Sequence, residues 1–121
     1  MKREFVMTEW FDSSWEEESL SDEHLRLLQG ELLRAPSCGD VMRGTGGFRK
    51  MRFALPGRGK SGGFRIVYLD IPDFETLYLM LAYPKSVKDT LSPAECNELK
   101  QIAANIKNNL RERSRKGNYH A

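Results

Sequence analysis

The chain is poor in the residues from which most small catalytic and metal-binding sites are built. Its 121 residues include two histidines, His24 and His120, and two cysteines, Cys38 and Cys96. Two cysteines make no disulfide framework, and neither stands in a CxxC pair or near a histidine, so the expectation is two reduced thiols and no metal. His24 falls among acids in a predicted helix and His120 lies next to the C-terminus, which gives a histidine-based catalytic apparatus little support. No apolar run approaches the roughly 20 residues that cross a bilayer. The opening MKREFVMTEWFDSSW carries acids and tryptophans where a secretory segment would be uniformly apolar. A cytoplasmic protein without a membrane partner is expected. The most informative absence is local: between Arg43 and Leu69 there is not one Asp or Glu.

That same segment holds seven cations: Arg43, Arg49, Lys50, Arg52, Arg58, Lys60 and Arg65. The first 42 residues have 4 basic and 10 acidic side chains, and residues 70–121 have 8 and 7, so a whole-chain charge of +2 conceals a strong internal segregation. A concentrated basic patch draws in polyanions, which makes nucleic acid the first partner to consider. The acidic run Glu16, Glu17, Glu18 reads as a solvated face, or as a counter-surface away from the basic patch.

Periodicity supplies the elements. Glu4 to Thr8 is a short strand candidate, and Phe11 and Trp15 sit one helical turn apart in a short helix. Ser21 then caps DEHLRLLQGELLRA, where Leu25, Leu28 and Leu32 form an apolar stripe that ends near Pro36 and Gly39. From Gly46 the period changes to 2: Met51, Phe53 and Leu55 fall on one face of a strand, and Phe48, Lys50 and Arg52 on the other. Lys50 and Arg52 are therefore expected to project together from an open face. PGRGKSGG is a turn carrying Arg58 and Lys60. FRIVYLDI and the nearly all-apolar TLYLMLAY follow as strands joined by a hairpin loop at Ile71 to Glu75. Ser92-Pro93-Ala94-Glu95 is a capping box, and Leu99, Ile102, Ala103, Ile106 and Leu110 repeat on one face of the last helix. The period is lost in RERSRKGNYHA. A domain of residues 1–110 and a basic, flexible tail of residues 111–121 are the expectation.

Gly59-Lys60-Ser61 is not a phosphate-binding P-loop. The spacing requires a glycine at position 54, which is Ala54, and a helix where a strand follows.

Two motifs in sequence, Gly47-Phe48-Arg49-Lys50-Met51-Arg52 on one strand and Gly62-Gly63-Phe64-Arg65-Ile66-Val67-Tyr68 on the next, make the chain resemble the RelE superfamily of bacterial toxins, nearest its HigB branch. The resemblance spans Glu4 to about Leu110. It implies an α+β fold, a single domain with two N-terminal helices and a C-terminal helix packed on one side of a small antiparallel sheet. It also implies a toxin that enters the ribosome and cleaves messenger RNA without metal or cofactor, restrained by an antitoxin that usually carries a helix-turn-helix DNA-binding domain. DNA is then met only through that antitoxin.

By the same resemblance Lys50 and Arg52 match the basic pair of one strand, Arg65 the arginine that opens the next, and Lys85 a cation at the end of the last. These four are the expected catalytic set. Arg49, Arg58, Lys60 and Tyr83 are the expected RNA-binding residues, with Tyr83 placed to stack on a base. Relatives carry a further arginine and tyrosine where this chain reads Ser86-Val87-Lys88-Asp89-Thr90-Leu91, which leaves the general acid open. The chemistry needs no histidine. A 2′-OH held in line with its phosphorus cuts the strand once it is deprotonated and the dianionic phosphorane meets fixed cations. Cationic neighbours ease deprotonation of a lysine, so Lys50 or Lys85 is the expected base. Two other readings remain: a ParE-like toxin that poisons gyrase by protein contact, and a non-catalytic RNA-binding domain.

Overall fold

The alternation in FRKMRFAL does produce a strand. β3 (Arg49–Ala54) pairs antiparallel with β4 (Gly63–Ile71), placing Arg52 opposite Arg65 and Phe53 opposite Phe64. β4 is flanked on its other side by β5 (Thr76–Pro84), which a short 3-10 turn at Pro72–Phe74 connects to it. The computed structural model describes residues 2–55, 63–85 and 91–119, with side chains as far as residue 115. The turn that carries Arg58 and Lys60 lies outside the described residues, as do residues 86–90.

Two further strands complete the sheet in the order β1-β5-β4-β3-β2. β1 (Glu4–Met7) joins β5 in parallel, Phe5 facing Leu77, and β2 (Asp40–Val41) caps the opposite edge with Asp40 facing Lys50. The sheet is thus mixed, its three central strands antiparallel as expected. A register shift where Val67/Tyr68 meets β5 explains why both Met80 and Leu81 turn toward the same side, breaking the strict alternation of that strand.

The α+β class holds, with three helices on the sheet, but they do not share one side as the resemblance implied. α1 (Glu9–Glu17) and α2 (Asp22–Arg34) pack Phe11, Trp15, Leu28 and Leu32 against Phe53, Ile66, Tyr68 and Leu79. α3 (Pro93–Tyr119) covers the other face, where Leu99 and Ala103 meet Phe48, Val67, Leu69 and Met80. The reason lies in β4, whose six residues from Phe64 to Leu69 are all buried. A strand apolar on both sides needs cover on both sides.

Local chemistry fixes the helix ends. Thr8 caps α1 by accepting the Phe11 N–H at 3.1 Å. Ser14 in α1 accepts the Ala82 N–H of β5 at 3.1 Å, pinning helix to strand. Phe11 stacks on Trp15 with ring centroids 5.2 Å apart. Ser21 and His24 form a reciprocal capping box at the start of α2, so this histidine serves the helix terminus. Ser92 and Glu95 do the same for α3.

α3 runs on through Tyr119, past the expected end of its periodic segment. Leu110 is the last buried residue among its described side chains rather than its terminus. Beyond it, Arg115 pairs with Glu112 at 2.8 Å and Arg111 donates to Asn108 at 3.2 Å, i to i+3 contacts that suit a solvated helix built from good helix formers.

Candidate functional site

On the face that α3 covers, Phe48, Val67 and Leu69 lie beneath the helix, and the open surface begins where the same rows continue into Arg52 and Arg65. There a cleft of about 740 Å³ is lined by Lys50, Arg52, Arg65 and Lys85, and on its α2 side by Glu31, Arg34, Cys38 and Asp40. Among the described residues, five cations thus converge against two carboxylates. The strands do most of the positioning. Opposite residues of an antiparallel pair share a face, so the Arg52/Arg65 pairing puts two arginines on one face of the sheet, and the Asp40/Lys50 pairing puts an acid and a lysine on one face. Lys85 follows β5 directly, its backbone N–H 3.5 Å from the Gly63 carbonyl. Arg65 is buried to 6% exposure, whereas Arg52 and Lys85 are exposed.

The wall formed by residues 36–39 is braced from beneath. The Tyr68 hydroxyl donates to the Pro36 carbonyl at 2.8 Å and accepts the Gly39 N–H at 2.9 Å. Arg49 donates to the Gly39 carbonyl at 2.7 Å and to that of Ser37 at 3.3 Å. A Cβ on Gly39 would lie 2.9 Å from the Tyr68 ring and 3.0 Å from the Lys50 carbonyl, so only glycine allows the chain to pass this close. Burial pushes the Tyr68 hydroxyl well above the usual phenol range, against the lowering effect of the Gly39 N–H. The hydroxyl is a neutral brace.

All four residues expected to be catalytic, Lys50, Arg52, Arg65 and Lys85, line this one cleft. The expected RNA-binding residues divide. Arg49 belongs to the opposite face of β3, beside Tyr68, and its guanidinium binds the 36–39 loop rather than the cleft. Tyr83 faces Arg65 across β4 and β5 but is half-buried against the α3 core and does not line the cleft. Arg58 and Lys60 fall outside the described residues. Of the basic segment, Lys50, Arg52 and Arg65 reach the cleft, and Arg43 sits exposed on the loop between β2 and β3.

Glu31, Arg34 and Asp40 are cleft residues that the sequence reading did not single out. Glu31 and Arg34 are i and i+3 in the last turns of α2, a signal that was present but indistinguishable from a solvated helix face. Asp40 is in a strand of two residues, too short to leave a period. Among the described residues no three His, Cys, Asp or Glu side chains group as a metal site, and no helix is long and apolar enough to cross a membrane.

The site thus sits on a five-stranded mixed sheet, with two helices between its first and second strands and one after its last, as a cation-lined cleft beside the short edge strand. A sequence profile of the RelE toxin of the RelE/RelB toxin-antitoxin system matches residues 3–116. The chain belongs to the RelE toxin family. Among solved structures it is similar to the E. coli toxin RelE, a double arginine-to-alanine mutant in the free state. That match has a TM-score of 0.53 and 19% identity, over 74% of this chain and 90% of that one. At this identity the likeness shows the fold. The family profile extends past Leu110 into the exposed part of α3.

Proposed function

We propose that this toxin is a ribosome-dependent endoribonuclease of the HigB type, cutting messenger RNA by attack of a 2′-OH on the adjacent phosphate. The observation that carries the reading is the convergence of Lys50, Arg52, Arg65 and Lys85, drawn from two strands and the residue after a third, on one cleft. Phosphoryl transfer needs fixed positive charge where the phosphorane develops, and donors already in place incur no reorganisation cost during reaction. Arg52 and Arg65, paired across two strands, suit that role. Lys50 and Lys85 supply amines for proton transfer, and Glu31 and Asp40 add two carboxylates to the same cleft. The products are a 2′,3′-cyclic phosphate or 3′-phosphate and a 5′-hydroxyl end. Membership of a toxin-antitoxin family supports an antitoxin as partner, and a helix-turn-helix protein is the form expected. The ribosome supplies the in-line strand geometry that a cleft lined by cations does not itself impose.

The test is cleavage of translated message with mapping of 5′ ends. Lys50→Ala and Arg52→Ala should each slow cleavage on the order of 100- to 1000-fold, as loss of one preformed charge donor does elsewhere. Their melting should be unchanged, because neither side chain belongs to either core. Free RNA should be cut poorly, and a chelator should make no difference. Parental cleavage by both variants would remove the assigned site. Growth arrest with uncut message and inhibited gyrase would favour the ParE-like reading, and binding without cuts a non-catalytic domain.

A further inference from the structure

A second groove lies between α1, β5 and the first turns of α3. Its floor is apolar, made by Leu81, Leu91, Leu99 and Ile102, and Trp10 stands at one side with 50% of its surface exposed. A space of about 250 Å³ there continues into one of about 400 Å³ beside Ser14 and Tyr83, the two sharing Leu81, Leu91 and Glu95. Among the described residues, none lines both this groove and the cation cleft.

The described rim has one sign of charge. Glu17, Glu18, Glu95 and Glu98 border the apolar floor, and among the described residues no Lys, Arg or His does. The chain's own cluster of arginines in α3, Arg111 to Arg115, lies several turns further along that helix and is not among the lining residues. An apolar strip with a half-exposed tryptophan, rimmed by carboxylates, is the complement of a segment that is apolar along one side and cationic along the other. RNA is repelled by this rim, so the occupant is a protein.

We infer that this groove docks a cationic amphipathic segment of a partner protein, its apolar side chains over Leu81 and Leu91 and its Lys or Arg side chains against Glu17, Glu18 and Glu98. The identity of that partner as the antitoxin rests on the function proposed above; the docking chemistry does not. Occupation of the groove leaves the cation cleft uncovered by the docked segment itself.

The experiment uses the full chain and two synthetic helical peptides of equal length without aromatic residues, one of Leu and Lys, the other of Leu and Glu. Tryptophan emission is read, since Trp10 is half exposed while Trp15 is buried, and Trp10→Phe identifies the source of the change. The Leu/Lys peptide should shift the emission to the blue, and Glu17→Gln with Glu98→Gln should weaken binding about tenfold, with added salt acting in the same direction. Lys50→Ala with Arg52→Ala should leave peptide binding unchanged. Equal binding by the Glu17→Gln/Glu98→Gln protein, equal binding of the Leu/Glu peptide, or a concentration-dependent dimer that buries Trp10 would each overturn the assignment. Because cleavage is measured separately, lost peptide binding with intact cleavage condemns the groove alone, and the reverse condemns the nuclease reading alone.

Discussion

Tyr68 supports the cleft wall through one hydroxyl that both donates to Pro36 and accepts from Gly39. Tyr68→Phe should therefore cost about 1–3 kcal/mol, the range for leaving buried polar partners unmade, read as a lowered urea midpoint. It should also alter alkaline stability. Burial raises the folded-state pKa of this phenol above its ordinary value of 10.0. A raised phenol pKa leaves stability unaffected below the ordinary value and lowers neither state's proton count there. Above it the unfolded chain releases a proton that the folded chain keeps, so stability falls as pH rises. The wild type should lose stability above pH 10.0. The Phe variant should lose less, with Tyr78, also raised by burial, accounting for part of the remaining slope. In sequence Tyr68 was legible only as the last residue of a motif. Its partners lie some thirty positions earlier, and local pattern contains no such distance. Arg49 shows the same limit. Alternation assigns it to the face opposite Lys50, but only the folded loop shows that its guanidinium meets the carbonyls of Ser37 and Gly39.

The helices were the most legible elements because their signals are local. Ser21, Ser92 and Glu95 announce two helix starts, and of the two apolar stripes Leu28, Leu32, Leu99, Ala103 and Leu110 become buried while Leu25, Ile102 and Ile106 are half-buried. The C-terminal extent of α3 was less legible, since beyond Leu110 no apolar period remains and the helix persists as a solvated rod. The loop between β2 and β3 receives α3 through a glycine. Gly46 has φ of +78°, a Cβ there would lie 2.9 Å from that of Ala103, and Lys107 donates to its carbonyl at 2.7 Å. Gly44 has a nearly identical φ of +79° but open space around it. Gly44→Ala should thus cost about 1–2 kcal/mol from backbone conformation alone. Gly46→Ala should cost more, by about 1–3 kcal/mol of crowding against α3. Melting temperatures of the two variants measure the difference.

Across the whole molecule, the topology was the least legible feature. The antiparallel run β3-β4-β5 follows from consecutive strands and short connections, whereas the parallel pairing of β1 with β5 joins residues separated by most of the chain. Arg3 and Asp70 secure that long-range closure with contacts of 2.7 Å and 3.2 Å between guanidinium and carboxylate, on side chains 9% and 8% exposed. Asp70→Asn should lower stability by about 1.5–3 kcal/mol, the range for hydrogen bonds to charged groups, as read from urea unfolding, while sparing the cleft residues.

The parallel pairing also imposes an order of events on synthesis. β1 leaves the ribosome well before its sheet partner among the described strands, β5, which begins at Thr76, and Lys85 follows that strand. A strand held unpaired until Thr76 and its neighbours have been made delays closure, since contacts far apart in sequence are slow to form. A nascent chain shorter than this has neither the finished sheet nor the full set of cleft cations. The fold therefore behaves as a timer: the cleft is complete only when Lys85, the last of its lining residues to be made, has joined the others.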